Sequence, residues 1–206
     1  KIPFILKCNS SNSLSNIKDQ AITGNVQDAL RLNCIGVGFT IYPGSEFNFK
    51  LIEEACTLFR EAKEAGLITV LWSYARGNIS KKGETAINII SYAAHMACLC
   101  GAHIIKVKLP TSYLEEDATK NTFIQNNIKI DTTIDRVKHV KRSCFNGRRI
   151  VVFSGGEAKN DIELLNEVKA IKEGGGNGSI VGRNCFQRPR NKALELINNI
   201  INIYEN

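Results

Sequence analysis

One tryptophan, one methionine, three histidines and four prolines are all that 206 residues contain of these four types. Scarce proline excludes polyproline and collagen-like chains and leaves helices and inner strands unbroken. The histidines, at 95, 103 and 139, lie apart from one another and from any carboxylate pair at ligand spacing, so neither a metal site nor a cofactor is expected. No apolar run reaches the roughly eighteen residues of a membrane helix. The longest candidate, 86–102, is interrupted by Asn88, Ser91 and His95. The first residues lack the apolar stretch and small-residue cleavage site of a secretory signal, so the expected location is cytoplasmic.

What is present points to a globular fold. The hydrophobic share is 43% and the length suits a single domain, residues 1–206, with a sizeable core. Seven cysteines, an odd number without a CxxC pair, read as reduced and mostly buried thiols rather than a disulfide framework. Lys and Arg number 27 against 20 Asp and Glu, a net charge of +7. The basic residues alternate with acidic ones along helices, as in Glu61-Ala62-Lys63-Glu64. That spacing predicts solvated helix faces plus a site for phosphorylated small molecules, not a nucleic-acid stripe or a membrane surface.

Short β-rich runs alternate with longer helical patterns. The predicted strands are 2–9, 34–42, 67–75, 103–109, 149–156 and 179–184, and the predicted helices 26–33, 49–66, 85–101, 131–144, 161–174 and 190–204. Asn160 with Glu163 reads as a capping box, Asp131 as an N-cap, and Gly66, Gly101 and Gly174 as helix stops. Strands joined through helices run parallel, so the fold is α/β, either an open doubly wound sheet or a (β/α)8 TIM barrel. The barrel is favoured by strand parity. In 34–42 the odd positions Ile35, Val37, Phe39 and Ile41 are bulky and suit a helix layer, while the even positions include Gly36 and Gly38, as a crowded interior requires. In 103–109 the same division turns Lys106 and Lys108 inward. Barrels need about 250 residues and eight βα units, so this chain reads as six of the eight, without the first two. The segment 110–130 is a long polar linker and a candidate lid.

Three groups of residues carry possible chemistry. Lys106, bounded by apolar neighbours and two residues from Lys108, is disfavoured as an ammonium by desolvation and by like-charge repulsion, and a neutral amine can attack a carbonyl to form an iminium. Alternatively both lysines reach solvent at the strand end. Trp72 and Tyr74 share a parity and face the interior, where a phenol could move protons, or where both rings simply pack. Ser154, Gly155 and Gly156 on one strand end, with Gly182 and Arg183 on the next, could cradle a phosphate after the final two strands, or form tight turns beside a surface arginine.

Six blocks in order, IPFILKCN followed by NSSNSLSN, VGFTIYPGSE, TVLWSYARG, GAHIIKVKLP, VVFSGGEAK and GSIVGRNCFQRP, resemble the DhnA-type (archaeal and bacterial) class I fructose-bisphosphate aldolases nearly end to end. The resemblance implies a (β/α)8 barrel that cleaves fructose 1,6-bisphosphate reversibly to dihydroxyacetone phosphate and glyceraldehyde 3-phosphate through a Schiff base, without metal, in glycolysis and gluconeogenesis. It assigns the Schiff base to Lys106, proton transfer to Tyr74, a place beside the substrate to Trp72 with Lys108 as same-face neighbour of the Schiff-base lysine, and phosphate contacts to Ser154, Gly155, Gly182 and Arg183. Lys7 is expected inward in a supporting role, and Lys7 or Arg76 could meet a second phosphate. In the family two βα units precede the opening block, and the first carries an aspartate without a counterpart here; the chain therefore reads as a fragment. Relatives with the same lysine include synthases and thiolases acting on other phosphorylated sugars, and a non-catalytic barrel binding sugar phosphates or RNA is the remaining alternative. Apolar positions Leu194, Ile197, Ile200 and Ile201 on the last helix suggest a homo-oligomer.

Overall fold

Alternating side chains along a strand divide it between two faces, and β6 (Ile104–Lys108) shows the division plainly: Ile105 and Val107 are fully buried beneath helices while Lys106 and Lys108 are half-buried on the opposite face. The structure, a computed structural model, describes residues 2–154 and 160–205. Its main sheet also contains β1 (Ile5–Lys7), β4 (Gly36–Ile41), β5 (Ile68–Ser73), β7 (Ile150–Ser154) and β8 (Gly178–Ile180). All neighbours in it are parallel and follow the order β1-β4-β5-β6-β7-β8. A doubly wound sheet reverses its strand order at a switch point. Here the order never reverses, so right-handed crossovers place the helices that connect its strands on one face, as in a (β/α)8 barrel over six of its units.

The outer layer consists of α2 (Asn48–Glu64) against β4 and β5, α3 (Ile87–Leu99) against β5 and β6, α5 (Thr133–Ser143) beside α3, and α6 (Asp161–Glu173) beside β8. Leu51, Ala55, Phe59 and Ala62 recur at helical spacing on α2 and are buried against the odd positions Val37, Phe39 and Ile41 of β4. Full burial of a side chain such as Phe39 contributes about 1.5–3 kcal/mol. A second cluster joins α6 to α8 (Arg190–Glu205) through Leu164, Val168, Leu196 and Ile200. No helix among the described residues is long and apolar enough to cross a membrane.

Local expectations are corrected at several points. The predicted strand 2–9 divides into β1 and β2 (Asn9–Ser10), which pairs antiparallel with β3 (Ala21–Ile22) before α1 (Val26–Arg31). Asn9 continues the sheet with its side chain: its amide donates to the Thr40 carbonyl at 2.9 Å and its carbonyl accepts from the Thr40 N–H at 2.8 Å. Thr132, not Asp131, caps α5, because its hydroxyl accepts from the Asp135 N–H while Asp135 bonds back, completing a capping box. Asn160 caps α6 through the Glu163 N–H. Gly66 and Gly101 end their helices at φ of +73° and +84°, but after α6 the left-handed residue is Gly175, at +81°, rather than Gly174. The segment 110–130 holds a helix, α4 (Asp117–Gln125), whose Phe123 enters the core, so it is not an open linker. The predicted strand 179–184 ends at Ile180, and Arg183 opens the short α7 (Arg183–Phe186).

Candidate active site

Parallel register sets side chains of neighbouring strands side by side. Trp72 is level with Lys106, and one step toward the strand ends Lys108, Ser154 and Ile180 are level with one another across β6, β7 and β8. Tyr74 lies just beyond β5, its N–H held by the Ile41 carbonyl at 3.1 Å. These are the C-terminal ends of the strands, where barrel enzymes keep their sites. A cavity of about 320 Å³ opens there, lined by Tyr74, Lys106, Lys108, Ser154, Gly182 and Arg183 among others. Of the residues singled out in the sequence, these six converge on one space. Gly155 and Gly156 lie outside the described residues.

The Lys106 Nζ stands 5.9 Å from the ring centres of both Trp72 and Tyr74. Burial lowers its pKa to about 8. Like-charge repulsion from Lys108, expected as a second cause, does not contribute, because Lys108 donates to the Glu84 carboxylate at 2.9 Å. Tyr74 is shifted the opposite way: burial raises its phenol to about 12, against the pull of a hydrogen bond with Ser154 and the charge of Arg76. At neutral pH the phenol therefore keeps its proton and is equipped to donate it.

Trp72 does not line the cavity. Its indole lies across β4 above Gly38, where an added Cβ would sit 2.3 Å from the ring, so only glycine leaves room for it. On the far side Lys7 approaches the same indole, 5.7 Å from the ring centre. Burial lowers the Lys7 pKa to about 8 as well, but its Nζ donates to the Asn9 backbone carbonyl and, at 2.8 Å, to the Asn9 side chain.

Glu84 escapes any reading of the sequence. It sits in a short 3-10 turn, Gly83–Thr85, outside all regular periodicity. Its carboxylate pairs with Arg76 at 2.7 Å, Lys108 at 2.9 Å and Lys81 at 3.5 Å. Burial works to raise its pKa, yet the Lys108 hydrogen bond and the three cations outweigh burial and hold the carboxyl below its ordinary range.

The barrel wall thus carries a desolvated amine, an adjacent phenol and a glycine-bordered cavity. The chain matches the DeoC/LacD family aldolase profile over residues 1–188 and belongs to that family. It is 32% identical to a probable fructose-bisphosphate aldolase class 1 of Chlamydia muridarum, over 99% of this chain and 62% of that protein. It is 33% identical to a fructose-bisphosphate aldolase class 1 of Thermoproteus tenax, over 91% of this chain and 63% of that protein. The chain thus spans somewhat less than two thirds of these relatives. Among solved structures it resembles an archaeal fructose-1,6-bisphosphate aldolase whose catalytic Lys is covalently bound to the carbinolamine intermediate, with TM-score 0.82, 29% identity and coverage of 100% of this chain and 72% of that one.

Proposed function

We propose that this chain carries the Schiff-base centre of a class I fructose-bisphosphate aldolase, with Lys106 as nucleophile. The observation that supports this most is a half-buried amine at about pKa 8 beside a protonated phenol, at the mouth of one cavity. At that pKa about a tenth of the amines are neutral at pH 7, against about three in ten thousand at an ordinary lysine.

Lys106 attacks the ketone carbon, the carbonyl electrons move to oxygen, and Tyr74 is placed to protonate that oxygen as it leaves as water. The resulting iminium accepts the electron pair of the neighbouring carbon–carbon bond as it breaks, while the hydroxyl on the departing carbon gives its proton to the Tyr74 phenolate and becomes the aldehyde. Ser154, Gly182 and Arg183 are assigned one phosphate of the substrate, and Arg76 the second, since Lys7 is engaged by Asn9. The enzyme is further assigned to the cytoplasm and to glycolysis and gluconeogenesis, with a homo-oligomer formed through α8, where Leu194, Ile197 and Ile201 are exposed. Dihydroxyacetone phosphate with borohydride should reduce an imine onto Lys106. A Lys106→Met protein that still takes the label would refute the assignment.

A synthase acting on another phosphorylated sugar is the second reading. A Methanocaldococcus jannaschii relative, 32% identical over 97% of this chain, carries the name fructose-bisphosphate aldolase/6-deoxy-5-ketofructose 1-phosphate synthase. Turnover of fructose 1,6-bisphosphate, measured against turnover of deoxyketose phosphates, separates the two.

A further inference from the structure

Lys106 and Lys108 point from the same strand to the same face, two residues apart, and both line the same cavity. Either amine could in principle meet a carbonyl there. Their partners differ. Among the described residues no carboxylate pairs with Lys106, whereas Glu84 takes Lys108 into an ion pair at 2.9 Å. Only 12% of the Glu84 side chain is exposed, and 25% of that of Lys108, so water screens this pair less than it would a surface pair.

The position of Glu84 is built rather than incidental. Its turn lies in the loop after β5, and that loop is fastened to the loop after β6. The Thr111 N–H donates to the Thr85 carbonyl at 2.8 Å, and the Glu115 carboxylate accepts from the Ser80 N–H at 2.9 Å and hydroxyl at 2.8 Å. Gly83 lets this clamp close, since a Cβ there would come within 2.5 Å of the Glu115 carboxylate. Arg76, from the end of β5, holds the Glu84 carboxylate from another side at 2.7 Å. One carboxylate is thereby fixed among three cations, Arg76, Lys108 and, at 3.5 Å, Lys81.

We propose that Glu84 is a positioning residue that decides which lysine of β6 becomes the nucleophile: by holding Lys108 as a paired ammonium it leaves Lys106 as the single amine able to add to a carbonyl. Nucleophilic attack needs a free lone pair. An ammonium engaged with a carboxylate has none, and the Lys108 Nζ stands 2.9 Å from that of Glu84. At Lys106 the balance is simple: the neutral amine forms the C–N bond, the carbonyl oxygen departs as water with one proton from that amine and one from the Tyr74 phenol, and borohydride then delivers hydride to the iminium carbon. In Glu84→Gln the shape persists but the charge that holds Lys108 is gone.

The inference rests on the lysine-nucleophile reading, and two probes keep the fates of the two ideas apart. The first is dihydroxyacetone phosphate with borohydride, and the second is acetic anhydride, which acylates any accessible free amine whatever the enzyme's substrate. In each case label at Lys106 and Lys108 is located by peptide fragmentation. Of these two lysines, only Lys106 is expected to carry label in the wild type, with either probe. In Glu84→Gln the Lys108 to Lys106 ratio should rise about tenfold or more, as expected when the close opposite charge that occupies a half-buried amine is removed. Lys106→Met should stay unlabelled at Lys108, and Lys106→Met/Glu84→Gln should become labelled there. An unchanged ratio in Glu84→Gln, or strong Lys108 label in the wild type, overturns the role of Glu84 while leaving the imine at Lys106 standing. Absence of any imine adduct overturns the function instead, and the acylation ratio still decides the role of Glu84. Should Glu84→Gln fail to fold, Glu84→Asp, with its carboxylate withdrawn by one methylene, is expected to show a smaller rise in the same ratio, and no rise overturns the proposal.

Discussion

Lys7 at the β1 edge and Lys106 at the middle of the sheet share an environment by one measure and differ by another. Burial lowers both to a pKa of about 8, and both stand near the indole of Trp72. Lys7, however, spends its N–H groups on the two oxygens of Asn9, whereas Lys106 opens onto a cavity with Tyr74 and Ser154 at its wall. A lowered pKa makes an amine available only where geometry leaves its lone pair facing a space large enough for a carbonyl compound. Chemistry is therefore assigned to β6 and support to β1.

The contrast can be broken most severely at Lys106. Lys106→Met should abolish imine trapping and reduce cleavage by at least about 10³-fold, because the covalent route is lost altogether. In the wild type, trapping should increase as pH rises from 6 to 9, with a midpoint near the pKa of about 8. The stability sign follows from the same lowered value: between about 8 and 10.5 the unfolded chain binds more protons than the folded one, so stability contributed through this group rises with pH across that window. Thermal melts of wild type and Lys106→Met at pH 7 should accordingly show the variant as the more stable.

Next in size is Tyr74→Phe, which keeps the ring beside Lys106 and removes the proton. Cleavage should fall by about 10²-fold to 10³-fold, the usual range for a general acid, with label at Lys106 retained but slower to form. Single-turnover trapping kinetics measure it. Gly38→Ala should act less strongly and through position: the new methyl drives the rigid indole from β4, destabilising the fold by about 1–3 kcal/mol. Denaturant unfolding reads the loss, and trapping at Lys106 should slow about tenfold or less, since one of its two ring neighbours has moved.

The smallest effect is expected at the other side of the comparison. Lys7→Met should leave the label on Lys106 and change cleavage by less than about tenfold, because Lys7 faces Asn9 rather than the cavity. A loss as large as that of Lys106→Met would show that the two lysines are not separable in the way their hydrogen bonds indicate.

The alternation of strand and helix was legible because periodicity is local: period two in 34–42 and 103–109 and helical spacing in 49–66 appear as β4, β6 and α2. The convergence of Lys106, Tyr74 and Ser154 was legible through strand parity and position at a strand end, whereas Arg183 reaches the cavity from α7. Other features were hidden. Thr132 caps α5 in place of Asp131 because Asp135, three residues on, bonds back to it and completes a capping box. The helix in 110–130 carries a weak apolar stripe that only the docking of Phe123 makes meaningful.

Residue order alone determined the succession of βα units, which face of β6 carries the amines, and the shared parity of Trp72 and Tyr74, since each follows from backbone geometry within a few positions. Tertiary structure alone decided that Lys108 is occupied by Glu84 while Lys106 is not, and that the Trp72 indole lies over Gly38 within reach of Lys7. Those facts depend on which loops meet once six strands stand side by side. Charges distant in sequence act on one another only after folding has removed the water between them.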